Sequence, residues 1–230
     1  SEAINLGSAK AGRDLIIDSD TLQANSLSAG RALTLQSEGG DLLAGSVSAA
    51  GAGTIDSAGS VQFDSLSLTG GAPQTLNVHA AGDISLGDGS GAASGGAIVL
   101  SAGGNVTVDL ASASLTTVTA GGTANVQAGT LNVGTVSANE VLLQCGSITV
   151  AHATSANDIY VSSSGGPASV GTATAGDDIY VLSSGGDASL TNATLTGAGA
   201  DQVGPAFNGN PDKDGNGRVL AVQSISGSAA

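Results

Sequence analysis

The chain has 230 residues, with 37 Gly, 2 % aromatic residues, a single Cys and no Met or Trp. Compact domains draw much of their core from aromatic and Met side chains, so this composition favours small aliphatic residues buried in a repeating geometry. The net charge is −14, and no Lys or Arg lies between Arg31 and Lys213. Binding to nucleic acid or to anionic lipid needs basic residues, so we expect neither partner, and no apolar stretch is long enough for membrane insertion.

The strongest feature of the sequence is an internal repeat of roughly 20 residues. In chain order, its copies occupy 11–28, 29–48, 95–112, 155–174 and 175–194. The last two copies, SANDIYVSSSGGPASVGTAT and AGDDIYVLSSGGDASLTNAT, share most of their residues without a gap. Each copy reads as a short strand, a Gly-Gly or Ser-Gly corner and a second short strand.

Within each copy the aliphatic residues alternate with polar ones, as Ile159 and Val161 or Ile179 and Val181 do. A period of two is typical of strands, and the frequent glycines would each cost about 1 kcal/mol inside a helix. The sequence therefore predicts an all-β parallel β-helix with about 18–20 residues per rung, in which each strand pairs with its equivalent in the next rung. Dividing the length by the repeat predicts roughly eleven to twelve rungs in one segment, 1–230.

Two stretches depart from the repeat. The segment 87–97, GDGSGAASGGA, is rich in Gly and Ser and predicts a bulged turn. The segment 197–218 contains two of the four Pro residues, so we expect an irregular loop insertion that projects from the coil.

That second stretch contains the sharpest local motif of the chain. Asp212, Asp214 and Asn216 match the first half of a calcium-binding loop, and the carbonyl of Arg218 would supply the next ligand. The twelfth position is Gln223 rather than Glu, so this is not an EF-hand. A calcium site and a polar Asx turn both fit, and calcium is the one cofactor that the sequence suggests.

Three further groups of side chains are candidates for chemistry. Asp158 and Asp178 would stack on successive rungs, either as a carboxylate pair or as corner caps ahead of each Ile-Tyr-Val. Tyr160 and Tyr180 should both face outward as a two-rung ladder, either a sugar-stacking platform or cross-rung packing. Cys145 is expected to be a small buried filler. We assign no catalytic or cofactor-binding residue.

The repeats resemble those of filamentous-haemagglutinin-like exoproteins, a family of bacterial adhesins and contact-dependent toxins secreted by two-partner systems. The resemblance lies in the recurring pattern of Ala-Gly, alternating aliphatics and a Gly-Gly corner at 29–48, 81–86, 95–110 and 155–194. It implies a right-handed β-helix, export through an outer-membrane transporter and a place in a secreted, cell-surface fibre. The asparagine-rich motifs of the family's secretion domain are missing, so the resemblance implies an internal shaft module flanked by neighbouring rungs.

The expected function is a segment of a large secreted adhesin, a rigid shaft and attachment surface for a host-cell receptor or glycan, without catalysis. Two alternatives stay open: the stalk of a contact-dependent growth-inhibition toxin, and a polysaccharide-active β-helix enzyme. The lack of basic residues disfavours the enzyme, because β-helix lyases use them to stabilise developing negative charge.

Overall fold

A computed structural model describes residues 2–70, 74–87, 92–197 and 219–224. It confirms the predicted all-β parallel coil, because 73 % of the described residues are in strands, none of them is in a helix, and the strands stack as a β-solenoid of about 9 turns. Every pairing between strands is parallel. Most hydrogen bonds between adjacent turns link residues 16 to 23 positions apart, and this range includes the repeat length read from the sequence.

The strands follow one another with short corners between them. In chain order they are β1 (Ile4–Ala11), β2 (Leu15–Ser19), β3 (Leu22–Ala29), β4 (Leu33–Ser37), β5 (Leu42–Ala49), β6 (Gly53–Ser57), β7 (Val61–Leu68), β8 (Thr75–Ala80), β9 (Ile84–Leu86), β10 (Ala92–Ser94), β11 (Ala97–Ala102), β12 (Val106–Ala120), β13 (Thr123–Ala138), β14 (Glu140–Ser155), β15 (Ile159–Ser163), β16 (Ala168–Ala175), β17 (Ile179–Ser183), β18 (Ala188–Leu195) and β19 (Leu220–Ser224).

Each turn has three sides, which we call sides A, B and C. In β13 they are 124–128, 130–133 and 135–138, and the pairing with β12 is interrupted between them, at Gly129 and Gly134. Earlier in the chain β1, β3, β5 and β7 supply sides A and B, and separate strands supply side C. After β14 the division changes, because β15 and β17 form side A alone.

Two details of the predicted coil are wrong. Each repeat contains the two predicted strands, but the second is predicted to be short, whereas ASVGTATA forms the eight-residue strand β16, which bends at Gly171 and supplies both side B and side C. The expected eleven to twelve rungs also exceed the observed turns, of which there are about 9. One reason is that the coil lengthens locally: Leu66 pairs with Ala93, well over one ordinary turn further along the chain.

The lengthened region coincides with the predicted bulged turn at 87–97. There Gly87, Gly95 and Gly96 adopt φ values of +98°, +92° and +99°, which side chains with a Cβ rarely accept. Residues 88–91 lie outside the described part of the chain, as do 198–218, so the expected loop insertion at 197–218 stays a prediction.

The core is a set of stacked columns of inward-facing side chains. The first inward position of side A is fully buried turn after turn, as Leu22, Leu42, Val61, Ile84, Val106, Ala124, Val141, Ile159 and Ile179. Small aliphatic residues fill this narrow interior, which explains the scarcity of aromatic residues in the sequence. Phe63 is the exception, because its ring is 0 % exposed inside the coil.

Buried serines close the ends of sides A and C. Ser37, Ser57, Ser163 and Ser183 are at most 2 % exposed, and their hydroxyls lie within hydrogen-bonding distance of corner carbonyls. Ser57 Oγ, for example, lies 2.8 Å from the carbonyl oxygen of Gly40 in the preceding turn and 3.3 Å from that of Ser60 in its own. The carbonyls of Gly40 and Ser60 also accept backbone hydrogen bonds from Gly59 and Leu42, so the serine hydroxyl adds a second donor at each corner.

Replacing Ser57 with alanine is expected to lower the free energy of unfolding by about 0.5–1.5 kcal/mol, because the buried hydrogen bond from its hydroxyl to the Gly40 carbonyl is lost. Chemical denaturation followed by circular dichroism measures the loss. Ser46→Ala, at an exposed position of side B, is the control and should stay within about 0.5 kcal/mol of the parent chain. Equal effects of the two substitutions would contradict the assigned role of the buried hydroxyl.

Candidate functional site: the corner carboxylates and the outer surface of side A

Asp or Asn residues at the corner before side A join several of the turns to the next. Asp41 accepts a hydrogen bond from the backbone N–H of Ser60 (2.8 Å), and Asp83 accepts one from that of Asn105 (2.6 Å). Asn105 in turn accepts from the N–H of Thr123 (2.8 Å). Short polar side chains suit this position because their oxygens reach a backbone N–H that the turn leaves without a partner.

Asp158 and Asp178 occupy the same corner position further along. Asp158 Oδ1 accepts from the N–H of Asp178 (3.1 Å), and Asp178 Oδ1 accepts from the N–H of Val219 (2.7 Å). This geometry supports the interpretation of both residues as corner caps. In each residue one carboxylate oxygen is engaged by a backbone donor.

The Asp158 carboxyl differs from the other corner residues in its surroundings. It is half-buried, and the carboxylates of Asp178, Asp177 and Glu140 lie around it. Burial raises the pKa of Asp158 from 3.8 to about 6, and the three negative neighbours add to this, while the hydrogen bond from Asp178 opposes it. No Lys or Arg occurs in this part of the sequence to offset the negative charge.

Asp158→Asn is expected to stabilise the chain at neutral pH by on the order of 1 kcal/mol, a value discounted for solvent screening. The pKa of Asp158 is raised to about 6 in the folded chain, so the folded state holds the extra proton. Stability therefore falls as the pH rises from 3.8 through 6. Above this pH range the ionised carboxylate lowers the stability of the folded chain by the full amount, and below the range the carboxyl is protonated and the loss of stability disappears. The amide oxygen of asparagine still caps the N–H of Asp178.

Thermal unfolding of both chains between acidic and neutral pH measures this effect. The advantage of Asp158→Asn should be present at neutral pH and should vanish at the acidic end. Asp83→Asn is the matched control, because Asp83 caps the same corner but its neighbours in the stack are Ser60 and Asn105. An advantage of Asp158→Asn that does not change with pH would contradict the assignment.

Tyr160 and Tyr180 lie opposite each other in register on side A, but they do not form the predicted exposed pair. Tyr180 is only 7 % exposed, and its hydroxyl donates to Asp178 Oδ2 (3.2 Å). The prediction that both rings are exposed is therefore wrong for Tyr180. The alternation of residues along a strand indicates which face of the sheet a side chain lies on, but not whether neighbouring residues cover that side chain. A sugar-stacking platform of two free rings is not present.

Cys145 lies at the inner end of side A and is 4 % exposed. Burial raises the pKa of its thiol to about 11, which leaves it protonated and unreactive at neutral pH. His79 and His152 are exposed. His79 Nδ1 lies 2.9 Å from Asp56 Oδ1 on the outside of side C. None of the three is placed for nucleophilic catalysis.

One well-formed ion pair lies near the start of the chain. Arg31 donates to both carboxylate oxygens of Asp14, with Nε to Oδ1 at 2.7 Å. Asp14 also accepts from the N–H of Ala32 (3.1 Å), so the same side chain caps a turn. The hydrogen bond from Arg31 holds the pKa of Asp14 well below its usual range.

Across residues 2–70, 74–87, 92–197 and 219–224, no group of three or more His, Cys, Asp or Glu side chains is arranged to hold a metal ion. The predicted calcium ligands Asp212, Asp214, Asn216 and Arg218 lie outside these residues, so that site stays a prediction. The same described part contains no helix long and apolar enough to cross a membrane.

The fold places the chain among parallel β-solenoids. No family model matches it, and neither does a curated protein or a solved structure.

Proposed function

We propose that this chain is a shaft segment of a large secreted bacterial surface adhesin, of the filamentous-haemagglutinin-like type that its repeats resemble. The unbroken parallel ladder carries the proposal. The strands β12, β13 and β14 pair with one another along nearly their whole length, and all three sides share one continuous buried core. Such a coil resists bending, because any bend opens hydrogen bonds and parts stacked side chains.

The end turns support a place inside a longer fibre. Inward-facing residues such as Leu6 in β1 and Leu190 in β18 are only half-buried, although the equivalent residues between them are fully covered. Neighbouring turns of a longer protein would bury them.

The distribution of charge supports a passive rod rather than an enzyme. The candidate carboxylates Asp158 and Asp178 are held as corner caps, and the net charge of −14 keeps a long fibre soluble. The proposed partners are therefore an outer-membrane transporter during export and a host-cell receptor or glycan at the surface.

Binding of the purified chain to host cells and to an array of glycans tests this proposal. Specific binding by a chain whose circular dichroism shows intact β-structure supports an attachment surface. Intact structure without binding overturns the attachment role and favours the toxin stalk. Cleavage of acidic polysaccharides in a turnover screen overturns the non-catalytic role and favours the enzyme.

A further inference from the structure

Open depressions lie on the outside of the solenoid at the bend between sides A and B, and together we call them the groove. Its larger part has a volume of about 700 Å³ beside β12, β13 and β14. A smaller depression of about 410 Å³ lies at the same bend beside β3, β5 and β7. Because the bend recurs at the same place in successive turns, both depressions follow the axis of the coil.

Glycines make the floor of this groove. A Cβ on Gly129 would lie 2.6 Å from the carbonyl oxygen of Ala111, and one on Gly146 would lie 2.4 Å from that of Gly129. In the smaller depression a Cβ on Gly45 would lie 2.5 Å from the carbonyl oxygen of Asn25. At these three glycines the turns approach too closely for a side chain, whereas neighbouring turns carry Asn25, Asp64 and Ala111 at the equivalent position of the bend.

One wall of the larger part is a column of polar side chains. Asp109, Gln127, Gln144 and Ser162 occupy equivalent positions in four successive turns. The first three are exposed, and successive members follow the strand spacing of about 4.8 Å. Each glutamine amide offers both donors and an acceptor, the combination that recognises the hydroxyl groups of a sugar.

The charge and shape of the groove restrict what it can hold. Its wall carries the carboxylate of Asp109 and no basic side chain, which disfavours polyanions such as sulfated or uronic-acid glycans. The column repeats at the strand spacing of about 4.8 Å, which is close to the length of one sugar unit and suits an extended chain better than a coiled one.

We propose that this groove binds a straight, uncharged polysaccharide segment of the β-1,4-linked type, laid along the solenoid axis against Gln127 and Gln144. The inference rests on the proposed function, because it locates the attachment surface of the shaft. The groove holds no acid and base pair, so it binds the glycan without cleaving it.

Calorimetric titration of the full chain with cellohexaose tests the groove. Binding is expected in the range of about 0.1–1 mM, since a few exposed hydrogen bonds supply it. The double variant Gln127→Ala, Gln144→Ala should raise the Kd about tenfold. Asn132→Ala, Thr149→Ala is the matched control, because these exposed residues lie on side B of the same two strands, and its Kd should not change. Maltohexaose, which coils, should bind more weakly than cellohexaose.

The groove proposal is overturned if the folded chain does not bind cellohexaose, if maltohexaose binds equally well, or if the glutamine and control variants behave alike. Circular dichroism checks that each variant folds, and Gln127→Glu, which keeps the size and adds charge, is a second probe that should also weaken binding. The two proposals fail separately. Host-cell binding without cellohexaose binding overturns the groove alone, whereas cellohexaose binding without host-cell binding supports the groove and overturns the host-attachment role.

Discussion

Replacing Phe63 with alanine is expected to lower the free energy of unfolding by about 3–5 kcal/mol. The Phe63 ring is 0 % exposed and lies in the column between Ala44 of the preceding turn and Leu86 of the next. Backbone hydrogen bonds to the turns on both sides hold β7 in place, so the surrounding side chains are unable to move into the space that the ring leaves.

Urea denaturation followed by circular dichroism measures this loss. Phe63→Leu retains most of the buried apolar volume and should cost clearly less than the alanine variant. A loss below about 1 kcal/mol for Phe63→Ala would show that the interior of the coil relaxes freely, contrary to this account.

Gly95→Ala is expected to lower the free energy of unfolding by roughly 2–6 kcal/mol. The first contribution is backbone strain, because the φ of Gly95 is +92° and such a conformation costs about 1–3 kcal/mol for other residues. The second is steric, because the new Cβ would lie 1.8 Å from the carbonyl oxygen of Leu68, and relieving such an overlap costs about 1–3 kcal/mol.

Gly7→Ala is the control for this substitution. A Cβ at Gly7 would meet nothing within 4 Å, and Gly7 lies inside β1, so alanine there should leave the stability unchanged or raise it by up to about 1 kcal/mol. Thermal unfolding compares the two variants. Similar melting temperatures for Gly95→Ala and Gly7→Ala would contradict the described geometry of the bulged turn.

The fold could be predicted from the sequence because an alignment of the repeat copies shows which residues pair between successive turns. Aligning Ile159 with Ile179 in the printed sequence gives the pairing that the structure shows. The third side was missed for a physical reason: the bend between sides B and C at Gly171 needs one unpaired residue rather than a Gly-Gly corner. The inward-facing positions shift from Val170 to Ala173 across this bend, and no Gly-Gly pair marks the shift in the sequence.

The candidate sites were harder to predict. The capping role of Asp158 follows from its place before an aliphatic run, but its raised pKa depends on burial and on neighbours one turn away. The groove was also missed, although VQAGT at 126–130 and LQCGS at 143–147 place a Gln two residues before a Gly in successive turns. That spacing becomes informative only when both residues are known to lie on one outer bend.

The corner caps make each turn a separable unit of length. Val141 pairs with Ile159, and Ile159 pairs with Ile179. Removing 159–178 would join Asp158 directly to Ile179. Val141 would then pair with Ile179 in place of Ile159, and the corner cap, the core column and the groove wall would keep their register. A fibre built in this way changes its reach by gain or loss of whole turns, as the near-duplicate copies 155–174 and 175–194 illustrate.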